Sequence, residues 1–202
     1  GVAGADGMQV PVMGGGAEDG EPVARTEDTT CLGGGRAAAA GWEGIERVCV
    51  EEADYAISST GDSGYQMPDD ERIDLNGDDP AALSFPAKLT RLLAARWRAG
   101  GQPLTLFPTE LVTNNGVVLS GLCAGIARRA GLPDDFLAGM THDCVWANSL
   151  VDRIVSGALE PAGAIAEPYA LWAIEKQDRL TIPLTHPAIR PVDDLSTTAR
   201  LK

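Results

Sequence analysis

A chain of 202 residues, 44% hydrophobic and 22% charged, can bury a proper core as one domain or one and a half, and its composition is that of an ordinary globular protein. No apolar run reaches the roughly 18 residues of a membrane span, and no charged segment followed by an apolar one opens the chain, so neither a membrane nor a secretory signal is expected. The net charge of −13 repels phosphate backbones and excludes nucleic acid as an expected partner; it also repels acidic sugars, so a site for one needs local positive charge.

In chain order, Met8 to Met13 reads as a strand, Glu18-Asp19-Gly20-Glu21 as a turn, and Pro22 to Thr30 as the returning strand of a hairpin. Gly33-Gly34-Gly35 is a loop. Trp42, Ile45 and Val48 predict a short helix over 42–50. Asp54 to Ser58 reads as a buried strand running into the polar loop Ser59-Thr60-Gly61-Asp62-Ser63-Gly64. In an open α/β sheet, ligands sit at the carboxyl ends of strands, where such a loop would lie. Residues 66–80 are acidic and loop-like. Ser84 to Ala99 is the clearest helix: Ser84 can cap it, Pro86 suits its first turn, and Leu89, Leu92, Leu93 and Trp97 form an apolar stripe with Lys88, Arg91, Arg96 and Arg98 mostly off it.

Leu104 to Phe107 predicts a short strand. Asn114 or Asn115 can cap a following helix that buries Val118, Leu119, Leu122, Cys123 and Ile126 and stops at Gly131 and Pro133. Residues 134–157 read as helical in two pieces, Tyr169 to Ile174 as a strand, and His186 to Leu195 as extended. Helix, strand, loop and helix in this order imply an α/β layer fold. The four cysteines, Cys31, Cys49, Cys123 and Cys144, form no C-x-x-C pair, so reduced thiols and a cytoplasmic location are expected.

Several motifs carry less chemistry than they promise. Gly61-Asp62-Ser63-Gly64 is like a serine-protease nucleophile loop, but the only histidines, His142 and His186, lie downstream and out of that order, so the protease reading is rejected. His142, Asp143 and Cys144 are adjacent and lack zinc-type spacing, so no metal is expected. Neither Gly14-Gly15-Gly16 nor Gly33-Gly34-Gly35 matches a phosphate cradle, and the chain has no dinucleotide fingerprint. Glu110, after a strand, reads as a cap or an arginine partner, or as facing a ligand. Asp152-Arg153 interrupts the apolar residues Leu150, Val151, Ile154 and Val155; it is either an ion pair on an exposed face or a buried polar pair at a site.

Four stretches taken together resemble one family. Phe85-Pro86-Ala87-Lys88-Leu89-Thr90-Arg91-Leu92-Leu93, Pro108-Thr109-Glu110-Leu111, the run Ser149 to Ser156 around Val151-Asp152-Arg153-Ile154, and Ala199-Arg200-Leu201-Lys202 are similar to segments of the mannitol dehydrogenase family of long-chain polyol and hexuronate dehydrogenases, closest to its tagaturonate reductase (altronate oxidoreductase) branch. Ile57-Ser58-Ser59-Thr60 resembles the family's S-N-T loop with Ser59 in place of Asn. Thr109 replaces the Cys of the branch's P-C-E-L, Trp146 stands where Phe is usual, and Leu111 occupies the place of an Asn that contacts substrate in mannitol-type members. The last departure argues against a mannitol 2-dehydrogenase.

The resemblance implies a partial Rossmann-like parallel sheet with flanking helices over residues 1–156. It implies that 157–202 are a connector and the start of a mainly helical substrate domain that is mostly missing. It implies NAD as cofactor, contacted by Ser58, Ser59 and Thr60. It gives Asp152, Arg153 and Glu110 to a small sugar acid or polyol, with Arg153 holding local structure or an anionic group. No metal is implied. Lys202 would be the general acid/base, its pKa lowered from about 10.4 to roughly 7–8. The Asn and His of the family's K-x-x-x-x-N-x-x-H motif would follow Lys202, and a glycine fingerprint would precede Gly1, so the isolated 202-residue chain is expected to be inactive. Fructuronate reductase or another polyol dehydrogenase is the neighbouring alternative, and a non-catalytic remnant acting as a binding domain is the alternative of another class.

Overall fold

The computed structural model describes residues 9–18, 21–30, 38–61, 63–67, 74–160 and 163–198, with side chains from residue 38 to 197. Lys202, Cys31, Asp62 and Gly33-Gly34-Gly35 lie outside the described residues.

The expected hairpin is present. β1 (Gln9–Glu18) and β2 (Glu21–Thr30) pair antiparallel in unbroken register from Gln9 opposite Thr30 to Glu18 opposite Glu21. The first strand runs past Met13 through Gly14-Gly15-Gly16, so these glycines are strand backbone. The short helix around Trp42 is α1 (Ala38–Arg47), broken at Gly41 and continued by one π-helical turn over Val48–Glu52.

The Rossmann-like core follows. β3 (Tyr55–Ser58), β4 (Thr105–Pro108) and β5 (Val145–Trp146) form a parallel sheet in that order. Parallel neighbours need a crossover. α2 (Phe85–Arg98) makes the first one, and α3 (Asn115–Arg129) with α4 (Asp134–Ala138) makes the second. Alternation along β4 sends Leu106 to the helices, into a core with Leu89 and Leu93 of α2, Leu119 and Cys123 of α3, and Phe136 of α4. Phe107 points the other way, into a smaller cluster with Ala147 and Ile174. β4 is thus covered on both faces, as the middle strand of a parallel sheet should be.

Beyond β5, β6 (Ser149–Asp152) pairs antiparallel with β9 (Leu171–Glu175), which pairs in parallel with β10 (Ile189–Val192). β7 (Val155–Ala158) pairs with β8 (Ala164–Ala166), and β8 joins β1, giving the sheet order β2-β1-β8-β7. The chain's last described element is α5 (Leu195–Thr198). The strand expected near Tyr169 to Ile174 is β9, and the extended stretch after His186 contains β10. Pro191, which has no N–H to donate, lies in a strand at its sheet's edge.

Four expectations are corrected. β3 is half-covered rather than buried: Tyr55 is 37% and Ile57 57% exposed, because β3 is an edge strand of its sheet. Residues 134–157 are helical only through α4 and the π-helical turn Gly139–Asp143; the rest is β5, β6 and the start of β7. The apolar run from Val145 to Val151 has no decisive period, and pairing with β4 and β9 settles it as strand. On α2, Arg96 is 7% and Trp97 40% exposed, the reverse of the expected stripe. The Arg96 guanidinium turns inward to donate to the carbonyls of Gln102 (2.6 Å), Cys49 (2.5 Å) and Val50 (3.4 Å). A buried guanidinium is tolerable where donors meet waiting acceptors, and here it ties the turn after α1 to the end of α2. Val118 of α3 is likewise more exposed than its spacing predicts, at 37%.

Candidate functional site

Ser58 and Pro108 end adjacent parallel strands side by side, and Asp152 ends β6. The segments leaving these three ends enclose a cavity of about 500 Å³. Ser59, Thr60, Gly61 and Tyr65 line it from the loop after β3; Thr109, Glu110, Leu111 and Val112 line it from the turn after β4; Val151, Asp152 and Arg153 line it from β6. Residues far apart in sequence that were singled out from pattern and resemblance therefore share one cavity at the carboxyl edge of the sheet. Ser58 is the exception: its hydroxyl turns to Glu110 rather than to the cavity wall.

Glu110 is 6% exposed, and its carboxylate is gripped from several sides. Oε2 accepts from Ser58 Oγ (3.0 Å) and the Tyr65 hydroxyl (3.0 Å); Oε1 accepts from the Thr60 backbone N–H (3.1 Å) and Thr60 Oγ1 (3.2 Å). An ionised carboxylate offers about four acceptor sites, so these donors use its capacity. Desolvation, with the Glu110 charge beside it, pushes the Tyr65 phenol well above its ordinary value, so Tyr65 is a fixed proton donor. Gly64 permits the fold of this loop: a Cβ there would lie 1.8 Å from Thr60 Oγ1.

A second knot lies beneath the cavity. Asn115, at the first turn of α3, is fully buried. Its Nδ2 faces the carbonyls of Pro108 (3.1 Å), Glu110 (3.0 Å) and Ser149 (2.9 Å), and its Oδ1 accepts from the N–H groups of Gly116 (3.0 Å) and Ser149 (2.9 Å). One amide thus joins the ends of β4, the Glu110 turn and the start of β6. Asn114 makes no side-chain cap; the first N–H groups of α3 are met by Asn115 Oδ1 together with Asn148, whose Oδ1 accepts from Gly116 N (3.1 Å) and Val117 N (3.2 Å) while its Nδ2 donates to Glu175 (2.8 Å). Asn114 takes a left-handed conformation, φ 53°.

Arg153 is exposed, and its Nε donates to the Glu167 carbonyl (3.1 Å); the Glu167 carboxylate accepts from Ile154 N (2.6 Å). Arg153 is the one cationic residue among those lining the cavity. Asp152 is half-buried beside it. Sequence reasoning missed Tyr65, Asn148 and the interior role of Asn115. The Asn-Asn-Gly triplet was visible, but as a turn signal; Tyr65 stands in a loop with no periodicity to mark it.

Part of this surface lies where dinucleotides bind in open α/β sheets. Ser59, Thr60 and Gly61 present backbone and hydroxyl groups at the carboxyl edge of a parallel sheet, where such ligands bind. Among the described residues no G-x-G-x-x-G turn joins a strand to a helix, so they offer no pyrophosphate cradle of that type. Nor does any helix among them have the length and apolarity to cross a membrane.

The Mannitol dehydrogenase Rossmann domain family matches residues 34–185. The altronate oxidoreductase of Halalkalibacterium halodurans is 30% identical over 184 residues, covering 82% of this chain and 35% of that protein. That of Klebsiella pneumoniae is 30% identical over 157 residues, covering 75% and 32%. The chain thus spans about a third of the length of these curated relatives. Among solved structures, a substrate-free D-sorbitol dehydrogenase superposes with a TM-score of 0.72 at 19% identity, over 93% of this chain and 43% of that one. A Pseudomonas fluorescens mannitol 2-dehydrogenase in complex with NAD and D-mannitol also gives 0.72, at 15% identity, over 96% and 44%. With the parallel sheet, its crossover helices and the cavity at its carboxyl edge in agreement, the chain belongs to the mannitol dehydrogenase family and carries its Rossmann domain.

Proposed function

We propose that the protein is an NAD-dependent oxidoreductase interconverting a keto-hexuronate and its sugar acid, with tagaturonate and altronate as the pair. The observation that carries this reading is the cavity that collects Ser59, Thr60, Glu110, Asp152 and Arg153 from three strand ends. The names of the altronate oxidoreductases at 30% identity support the substrate class, and the NAD complex of a fold neighbour supports the cofactor. Leu111 supports it against a neutral polyol: 75% exposed and on the cavity wall, it offers no hydrogen bond where a mannitol-type member has Asn.

In this reading bound NADH supplies the hydride. Ser59 holds the cofactor by hydroxyl and backbone groups, and Thr60, whose N–H and hydroxyl hydrogen go to Glu110, by its remaining acceptor oxygens. Asp152 accepts from substrate hydroxyls, and Arg153, oriented by Glu167, holds the sugar carboxylate against the repulsion of a chain with net charge −13. Lys202 is the acid/base that protonates the carbonyl oxygen in the reductive direction. The setting is cytoplasmic, where such small metabolites and NADH are met.

The test is NADH oxidation by the full-length gene product with tagaturonate, fructuronate and fructose offered separately. Turnover on tagaturonate well above the other two is expected. Preference for fructuronate moves the protein to the neighbouring reductase, preference for fructose to the polyol branch, and no turnover on any of them removes the enzyme reading.

A further inference from the structure

We propose that Tyr65 and Glu110 form a latch that positions the cofactor-side wall of the cavity, acting through Ser58 and Thr60 rather than by touching substrate. The proposal rests on the cofactor assignment above. Three observations carry it. Glu110 lies at the cavity, yet four protein donors from Ser58, Thr60 and Tyr65 occupy its two oxygens, so a substrate hydroxyl would have to displace one. The Tyr65 hydroxyl is aimed at two acceptors with one proton, Glu110 Oε2 at 3.0 Å and the Asn115 carbonyl at 3.3 Å, which anchors the far end of the 59–65 loop to the start of α3. The loop is folded back by two turn bonds, Gly64 N to Gly61 O (2.8 Å) and Gln66 N to Ser63 O (2.9 Å), and only a glycine at 64 leaves room for Thr60 on the carboxylate.

The substrate side meets the latch at Asn115 but is held by bonds that do not pass through the Glu110 carboxylate or the Tyr65 hydroxyl. Asp152 and Arg153 leave β6, whose start is bound by Asn115 and whose end is bound through Glu167. Loosening the latch should therefore move the Ser59–Thr60 wall and leave the Asp152–Arg153 wall in place. Glu110→Gln replaces one oxygen by a donor. Placed on the Ser58 and Tyr65 side, that amide meets hydroxyls that can turn to accept; the Thr60 backbone N–H keeps the remaining oxygen. Tyr65→Phe removes only the phenol oxygen.

The experiment uses the full-length gene product and measures NADH dissociation by direct fluorescence titration, then KM for tagaturonate. Tyr65→Phe and Glu110→Gln should each weaken NADH binding about 5- to 20-fold, less than the roughly 10- to 100-fold of a charge-assisted hydrogen bond made directly to a ligand because here only the wall is loosened, with KM for tagaturonate changed less than about twofold. The double variant should be little weaker than Tyr65→Phe alone, since Tyr65→Phe removes the very bond that Glu110→Gln strips of its charge assistance. Unchanged NADH affinity in both single variants overturns the latch, as does a KM for tagaturonate that rises in step with the loss of NADH. A wild-type protein that binds NADH but does not reduce tagaturonate refutes the substrate assignment and leaves the latch to be judged on NADH alone. A wild-type protein that does not bind NADH overturns both.

Discussion

Replacing Asn115 tests the architecture under the cavity. In Asn115→Ala the Ser149 N–H loses its acceptor at 2.9 Å, and three carbonyls lose a shared donor. Not every loss is an orphan: Gly116 N keeps Asn148 Oδ1, the Pro108 carbonyl keeps the Ser149 hydroxyl, and the Glu110 carbonyl keeps Val112 N. One buried N–H without a partner costs about 1–3 kcal/mol, and the lost bonds add about 1 kcal/mol each where water cannot enter. The sum is about 3–4 kcal/mol, which for a domain of this size lowers Tm by roughly 10 °C. Asn115→Asp separates the two halves of the amide. It preserves the acceptor for Gly116 and Ser149 but sets a carboxylate oxygen against three carbonyls, so its folded pKa is raised and the acid is held neutral as a donor. A raised carboxyl pKa means the folded state binds one more proton there, so this group's contribution to stability is greatest below about pH 4 and is lost as pH rises towards the folded pKa. Thermal unfolding of wild type and both variants at pH 4.5 and 7.5 reads this directly. A Tm loss under about 2 °C in Asn115→Ala, or an Asn115→Asp deficit that does not grow with pH, refutes the reasoning.

Two further outcomes follow from the same core. In Gly116→Ala the new Cβ would lie 2.6 Å from the Ala147 carbonyl oxygen and 2.8 Å from that of Trp146, both backbone atoms; a loss of about 2–3 kcal/mol is expected in urea unfolding, as for overpacking of a rigid site. Burial pushes the fully buried Cys123 thiol up to about 12 from an ordinary value near 9. The folded state retains that proton longer than the unfolded chain, so stability is lost as pH rises from about 9 towards 12, at up to about 1.4 kcal/mol per unit. Tyr65 acts in the same direction, so the measurement is the difference in alkaline slope between wild type and Cys123→Ala, which should be shallower.

The sequence by itself determined the elements whose local signals agree. Leu89 and Leu93 at helical spacing behind Ser84 and Pro86 specify α2, and the apolar positions ending at Gly131, φ 67°, specify α3. Short strands before polar turns at Ser58 and Phe107, with a helix between them, announced an α/β layer fold and where its ligand edge would lie, and the family resemblance implied that the sheet is parallel. Asp152-Arg153 and Glu110 were legible as candidates because charge in an apolar run, or after a strand, needs a reason. Tertiary structure decided the rest. Val145 to Val151 carries no period that separates helix from strand, so only the partners β4 and β9 settle it. Arg96 reads as a surface cation until the carbonyls of Cys49 and Val50, distant in sequence, meet it. Whether Glu110 faces a ligand or a set of protein donors depends on a loop some fifty residues earlier returning to it, as the bonds from Ser58, Thr60 and Tyr65 show. Periodicity and capping act within a few residues and are written locally; the satisfaction of a buried polar group is a condition on the whole fold, and it exists only once the chain has closed on itself.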